Sequence, residues 1–297
     1  MKKTIFEGCA TAICTPFYKE EKNKINSSGI NYEELEKFIE FQIENKIDAI
    51  VVCGTTGEAS TLTTKEKKEI IKFTVDKVKN RVPVIAGTGG NNTKTVIELT
   101  KYAEKVGADG VLIVTPYYNK TTQEGLIEHY KIIAKNTNLP IILYNVPSRT
   151  GINIEPQTCY ELSKIENIVG IKEASGNISQ VAKIAALCGK NLDIYSGNDD
   201  QIIPILSLGG KGVISVLSNI KPEFTHKLVK KYQQGRTKEA LKMQLESIEL
   251  IQALFSKVNP IPVKEALNIV GFNFGNVRMP LYKMDEKSIE NLKKILF

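Results

Sequence analysis

The sequence predicts a (β/α)8 TIM barrel of the α/β class with a C-terminal helical extension. Short, β-branched apolar runs alternate with amphipathic helical runs, the pattern of a parallel sheet with crossover helices. The strand-like runs number eight, each is followed by a helix, and most of the connections are only a few residues long. Such arithmetic suits a closed barrel better than the alternative, an open doubly wound sheet. The length of 297 residues agrees, because barrels of this kind run to about 250 residues as one unit.

Along the chain, the first apolar run is 10–14, and helical periodicity follows over 31–45. Run 49–53 leads to a helix over 64–79, run 82–86 to 93–106, run 110–115 to 122–136, and run 141–145 to 155–165. Run 169–172 precedes a helix at 179–187, run 193–196 a short one at 200–208, and run 212–216 one at 222–233. After Gly235 the strand signal ceases, and 237–255, 262–270 and 286–296 read as helices. The expected division is a barrel over 1–233 and a helical extension over 234–297, packed on the barrel's flank. No low-complexity linker or internal repeat separates the two.

Composition narrows the function classes. A formal charge of +7 arises from 40 Lys and Arg against 33 Asp and Glu, but the lysines are spread along helix faces such as 65–79. A nucleic-acid binder concentrates them with aromatics between, so no nucleic-acid partner is expected, and the excess favours small anionic substrates. Five cysteines without a C-x-x-C pair, no secretory apolar run after MKKTIFEG, and no stretch of about 20 apolar residues point to a cytosolic chain with reduced thiols and no membrane association. Two histidines without H-x-H or H-x-x-x-H spacing argue against a zinc site. G-x-G-x-x-G is incomplete at 87–92 and no P-loop occurs, which argues against a bound nucleotide.

In a barrel the reactive face lies where strands end, so polar residues closing apolar runs are the candidates. Lys172 closes Asn167-Ile168-Val169-Gly170-Ile171, and with period two it shares a face with Gly170 and Ile168. Were that face inward, Gly170 would leave space beside an amine in an apolar setting, free to attack a ketone. A lysine paired with a carboxylate at the barrel mouth fits the same position. Tyr144 ends the neighbouring run, within reach of the same small molecule, and a phenol suits proton shuttling. A core tyrosine bonded to backbone also fits. Gly54-Thr55-Thr56-Gly57 offers hydroxyls and backbone N–H groups to a carboxylate, although turns of this composition are common. Arg149, in the stiff loop after Tyr144, is either a bidentate carboxylate clamp or a surface arginine.

Taken together, these segments resemble the dihydrodipicolinate synthase family of pyruvate-dependent class I aldolases and lyases. The matching stretches are GTTGEAS (54–60), VIAGTG (84–89), VTPYYNK (114–120), LYNVPSRTG (143–151), GIKEASGN (170–177), YSGND (195–199), GGKGVISV (209–216) and NPIPVKEAL (259–267), in order and over essentially the whole chain. The resemblance implies that Lys172 forms a Schiff base with pyruvate, and that Tyr144, Thr56 and Tyr118 relay protons, Tyr118 across a dimer interface. It implies that Thr55 and Thr56 hold the pyruvate carboxylate, Arg149 the carboxylate of L-aspartate 4-semialdehyde, and Gly197 and Ile214 backbone contacts. The implied activity is condensation of these substrates to 4-hydroxy-tetrahydrodipicolinate, a step of diaminopimelate and lysine biosynthesis. No cofactor is implied, since the lysine itself is the electron sink, and the implied assembly is a homo-oligomer, at least a dimer and as a family expectation a tetramer.

The same lysine and tyrosine serve N-acetylneuraminate lyase and keto-sugar-acid aldolases, but Thr56 and Arg149 favour the synthase branch. Lysine-inhibited members usually carry polar or acidic groups in an inter-subunit pocket. Here the corresponding positions are Ala59, Ser60, Thr64, Lys67 and Thr95, and a cationic Lys67 would repel the effector. Weak or absent feedback inhibition by lysine is the expectation.

Overall fold

The structure, a computed structural model, describes Lys2, residues 4–18 and residues 29–297. Its eight strands are β1 (Gly8–Ala12), β2 (Ala49–Val52), β3 (Val84–Gly87), β4 (Gly110–Val114), β5 (Ile141–Asn145), β6 (Ile168–Glu173), β7 (Asp193–Ser196) and β8 (Gly212–Ser215). All neighbours pair in parallel and β8 returns to β1, closing the barrel. Around it run α1 (Tyr32–Glu44), α2 (Thr64–Val78), α3 (Thr93–Lys105), α4 (Gln123–Ala134), the single turn α5 (Pro147–Thr150), α6 (Pro156–Ser163), α7 (Ile178–Cys188), α8 (Ile202–Ser207) and α9 (Pro222–Gln233). The chain ends with α10 (Thr237–Glu246), α11 (Ile248–Leu254), α12 (Ile261–Ile269) and α13 (Glu286–Leu296).

Period-two alternation divides the core into two layers. Cys9, Ile50, Val52, Val84, Val111, Ile113, Leu143, Ile171 and Val213 point outward and pack beneath the helices. The other set, Ala10, Val51, Ile85, Leu112, Ile142, Tyr144, Tyr195 and Ile214, fills the barrel interior. Phe6 plugs the N-terminal end: its ring stacks on Tyr195 at 4.4 Å and its carbonyl accepts the Tyr195 hydroxyl at 2.8 Å. The helices begin at residues able to cap them. Asn31, Asn92, Thr122 and Asn177 each accept a backbone N–H of the first turn, and Thr63 with Glu66 forms a full capping box.

Two departures from the sequence expectation have local causes. The single helix expected over 237–255 is split at Ser247, whose hydroxyl donates back to the Gln244 carbonyl at 2.8 Å. The C-terminal segment, expected on the flank, also reaches the barrel mouth, because its charges find partners there. Lys264 donates to Glu58 at 2.7 Å with both side chains almost wholly buried, and Arg278 pairs with Glu66 at 2.7 Å. The Arg278 backbone N–H binds Glu58 as well, at 2.9 Å. Burial pulls the Lys264 ammonium below its usual range, and the Glu58 carboxylate opposes that. No helix among the described residues is long and apolar enough to cross a membrane.

Removing one partner of a buried pair leaves a charge without compensation. Lys264→Ala is therefore expected to lower the unfolding free energy by about 3–5 kcal/mol, whereas exchanging Lys264 and Glu58 together for apolar residues restores most of it. Urea denaturation midpoints check this, and a single-variant loss below about 1 kcal/mol would mean that water already reaches the pair.

Candidate active site

Strand register creates the centre of the site. Tyr144 of β5 is the direct Cα partner of Lys172 on β6, which in turn pairs with Tyr195 of β7, so three adjoining strands send these side chains into the barrel. Lys172 is 5% exposed, and its Nζ lies 4.5 Å from the centroid of the Tyr144 ring. An ammonium on a phenol face is attracted by the ring quadrupole.

The geometry corrects two expectations about this strand. Ile168 does not share the Lys172 face: Ile141 pairs with Ile168 but Ile142 with Gly170, so Val169 is skipped as a bulge and Ile168 turns outward with Ile171. Nor does Gly170 leave space beside the amine. A Cβ there would come within 3.3 Å of the Tyr195 ring, so that ring occupies the room expected to be open.

A cavity of about 250 Å3 opens at the mouth, and Tyr144, Thr55, Arg149, Lys67 and Tyr117 contribute to its wall. Thr55 and Thr56 are held in a tight turn in which the Glu58 N–H donates to the Thr55 carbonyl at 3.0 Å. Thr55 lines the cavity, whereas Thr56 is 3% exposed and its Oγ1 accepts from Asn259 Nδ2 at 3.1 Å. Arg149 rides on α5, which Pro147 starts and Gly151 stops, and one guanidinium N–H donates to the Asn259 carbonyl at 3.3 Å. The cavity wall thus carries a hydroxyl, a guanidinium and the phenol whose ring Lys172 approaches.

Other predicted residues lie around this centre. Gly197 follows β7, and its N–H donates to the Glu173 carbonyl at 2.8 Å. Ile214 faces the interior from β8. Tyr118 stands apart: it is 90% exposed with φ 70°, and its neighbour Tyr117 lines the cavity instead. Thr64 and Thr95 sit in the first turns of α2 and α3. Lys67 is partly buried, and desolvation lowers its ammonium from the usual range. Cys53 is unsuited to nucleophilic work, since burial pushes its thiol up to about 12. His129 Nδ1 pairs with Thr93 and His226 with Asp48, so both imidazoles are bound away from the cavity wall.

Three polar residues near the site had no assigned role in the sequence. Asp199 is fully buried; it accepts the Ser215 hydroxyl and the N–H groups of Val216 and Leu217, at 3.0 and 2.9 Å. Burial raises its carboxyl, while those donors and the Lys172 charge pull it back. Glu173 turns outward, accepting from Asn145, Gln180 and the Ser175 N–H, and so ties the strand end that carries Lys172. Asn259 approaches from a part of the chain remote in sequence. Asp199 and Asn259 lie within the motifs YSGND and NPIPVKEAL, but neither motif discloses what the carboxylate or the amide touches.

Comparison with known proteins identifies the family. The sequence model of the Dihydrodipicolinate synthetase family matches residues 5–297. The 4-hydroxy-tetrahydrodipicolinate synthase 1 of Clostridium acetobutylicum is 58% identical over 290 residues, covering 98% of this chain and 96% of its own. The Clostridium tetani 4-hydroxy-tetrahydrodipicolinate synthase is 55% identical over 294 residues, covering 99% and 97%. Among solved structures, the dihydrodipicolinate synthase of Thermotoga maritima superposes with a TM-score of 0.94 at 41% identity, over 99% of this chain and 98% of that one. A monomeric dihydrodipicolinate synthase variant gives 0.94 at 41% identity, over 98% and 96%. With the barrel, the paired lysine and tyrosine and a full-length match in agreement, the chain belongs to the dihydrodipicolinate synthetase family.

Proposed function

We propose that this protein is a Schiff-base lyase that condenses pyruvate with L-aspartate 4-semialdehyde to give 4-hydroxy-tetrahydrodipicolinate, in the diaminopimelate route to lysine. The observation that carries the proposal is the in-register pair of Lys172 and Tyr144, with Nζ 4.5 Å from the ring centroid, in a chain of this family. The Lys172 amine attacks the pyruvate ketone carbon, and the oxygen leaves as water to give an imine. The imine draws electrons from the methyl carbon, which loses a proton and becomes an enamine. That carbon adds to the aldehyde, whose oxygen takes up a proton to become the 4-hydroxyl. The amine of the second substrate then displaces Lys172, closing the ring and restoring the free lysine.

Tyr144, Thr56 and Tyr118 are the proposed proton relay, with Thr55 and Thr56 on the pyruvate carboxylate and Arg149 on that of the semialdehyde. Because Thr55 lines the cavity and Thr56 is backed by Asn259, the Thr55 hydroxyl is a second candidate for the relay. Gly197 and Ile214 are proposed to offer backbone contacts. The exposed Tyr118 ring supports an assembly in which it enters a neighbouring subunit's site, a homodimer at least and a tetramer by family habit. Free thiols at all five cysteines and a substrate pair of central metabolites support a cytoplasmic location.

Incubation with pyruvate and borohydride is expected to leave one reduced adduct, on Lys172, located by peptide mass; an unmodified Lys172 in folded protein would remove the proposal. A Cβ at Gly197 would lie 2.6 Å from Ala174 Cβ and 3.1 Å from Lys172 Cε, so Gly197→Ala should slow adduct formation by about tenfold or more and, by overpacking a rigid neighbour, lower the unfolding free energy by about 1–3 kcal/mol. Arg149→Ala should raise KM for the semialdehyde by about 10–100-fold, the worth of a charged hydrogen bond, with pyruvate trapping unchanged. Ala59, Ser60 and the cationic Lys67 line the cavity, so lysine at submillimolar concentration should not inhibit. Clear inhibition in that range would show that Lys67 does not repel it.

A further inference from the structure

Asn259 stands just before α12 and touches both halves of the site. Its Nδ2 donates to Thr56 Oγ1 at 3.1 Å, and its backbone carbonyl accepts from the Arg149 guanidinium at 3.3 Å. The residue is 5% exposed, and its Oδ1 is buried without a hydrogen-bond partner among the described residues. Packing alone does not account for an amide here, since an apolar side chain of similar shape would leave no acceptor orphaned.

Resting on the proposed function, we infer that Asn259 is a positioning residue whose amide directs the Thr56 hydroxyl at the pyruvate carboxylate while its carbonyl fixes Arg149 for the second substrate. A threonine hydroxyl has two lone pairs and one hydrogen. With a lone pair occupied by the Asn259 N–H, the Thr56 hydrogen is not spent on the residue behind it and is left to donate into the site. That direction matters because a carboxylate only accepts. A Thr56 whose hydrogen pointed backward would turn lone pairs toward the anion and repel it. A carboxamide supplies the required N–H without adding a charge beside Arg149, whose guanidinium is already the positive group for the semialdehyde. The two contacts are also separable: the side chain governs Thr56, and the backbone carbonyl that receives Arg149 survives substitution.

Asn259→Asp exchanges the donor for an acceptor at nearly constant shape. Wild type, Asn259→Asp, Thr56→Val and the double variant are compared by half-saturation of the borohydride-trapped pyruvate adduct and by KM for each substrate, with thermal unfolding recorded for all. Expected are a rise in pyruvate half-saturation of about tenfold or more for Asn259→Asp, a semialdehyde KM within about threefold of wild type, and a double variant no worse than the worse single. Asn259→Ala, which loses the donor without adding an acceptor, should show a smaller rise in pyruvate half-saturation and serves if the aspartate variant does not fold. Wild-type pyruvate half-saturation in the folded Asn259 variant, or effects of the Thr56 and Asn259 changes that multiply, would overturn the inference. Absence of any adduct in the wild type would instead overturn the proposed function, and this inference with it.

Discussion

The register between β5 and β6 is the constraint on which the site depends. Parallel strands can pair Tyr144 with Lys172 and point both inward only if their phases agree, and β6 reaches that phase by skipping Val169. A bulge is a one-residue change with a two-face effect, because period two sends every later side chain to the opposite side. Ile171 then seals the helix layer while Lys172 enters the barrel. The Tyr195 ring packs against Gly170, so the strand that carries the lysine is backed by an aromatic ring inside the barrel.

The mouth is organised from a distant stretch of chain. Glu58 follows the two threonines, and it is held by Lys264 and by the Arg278 backbone, while Asn259 backs Thr56 and receives Arg149. Segments remote in sequence thus converge on one turn. The arrangement gathers fixed dipoles and charges at one end of the barrel, and such groups need no reorientation when charge shifts nearby.

Much of this was legible in the sequence because the signals are periodic and local. Eight apolar runs gave the barrel, helical periodicity gave the crossovers between them, and a charge closing an apolar run singled out Lys172. The bulge at Val169 was not legible, since a skipped residue alters phase without altering composition. The break at Ser247 was hidden inside unbroken amphipathic periodicity. Asn259 was hidden for another reason: it reaches Thr56 across 203 positions of chain, and no pattern within a window carries such a pairing. Burial of Lys264 against Glu58 escaped notice likewise, because charged residues read as surface until a partner is known.

The same long-range contacts have a consequence for synthesis. A chain leaving the ribosome from its N-terminus presents every strand of the barrel, and even the lysine and tyrosine, before the residues that steady the threonine turn have been made. Until Asn259, Lys264 and Arg278 emerge, Glu58 stays solvated at an unfinished rim. Vectorial synthesis therefore supplies the scaffold first, and the rim at the barrel mouth can close only once residues 259–278 have been made.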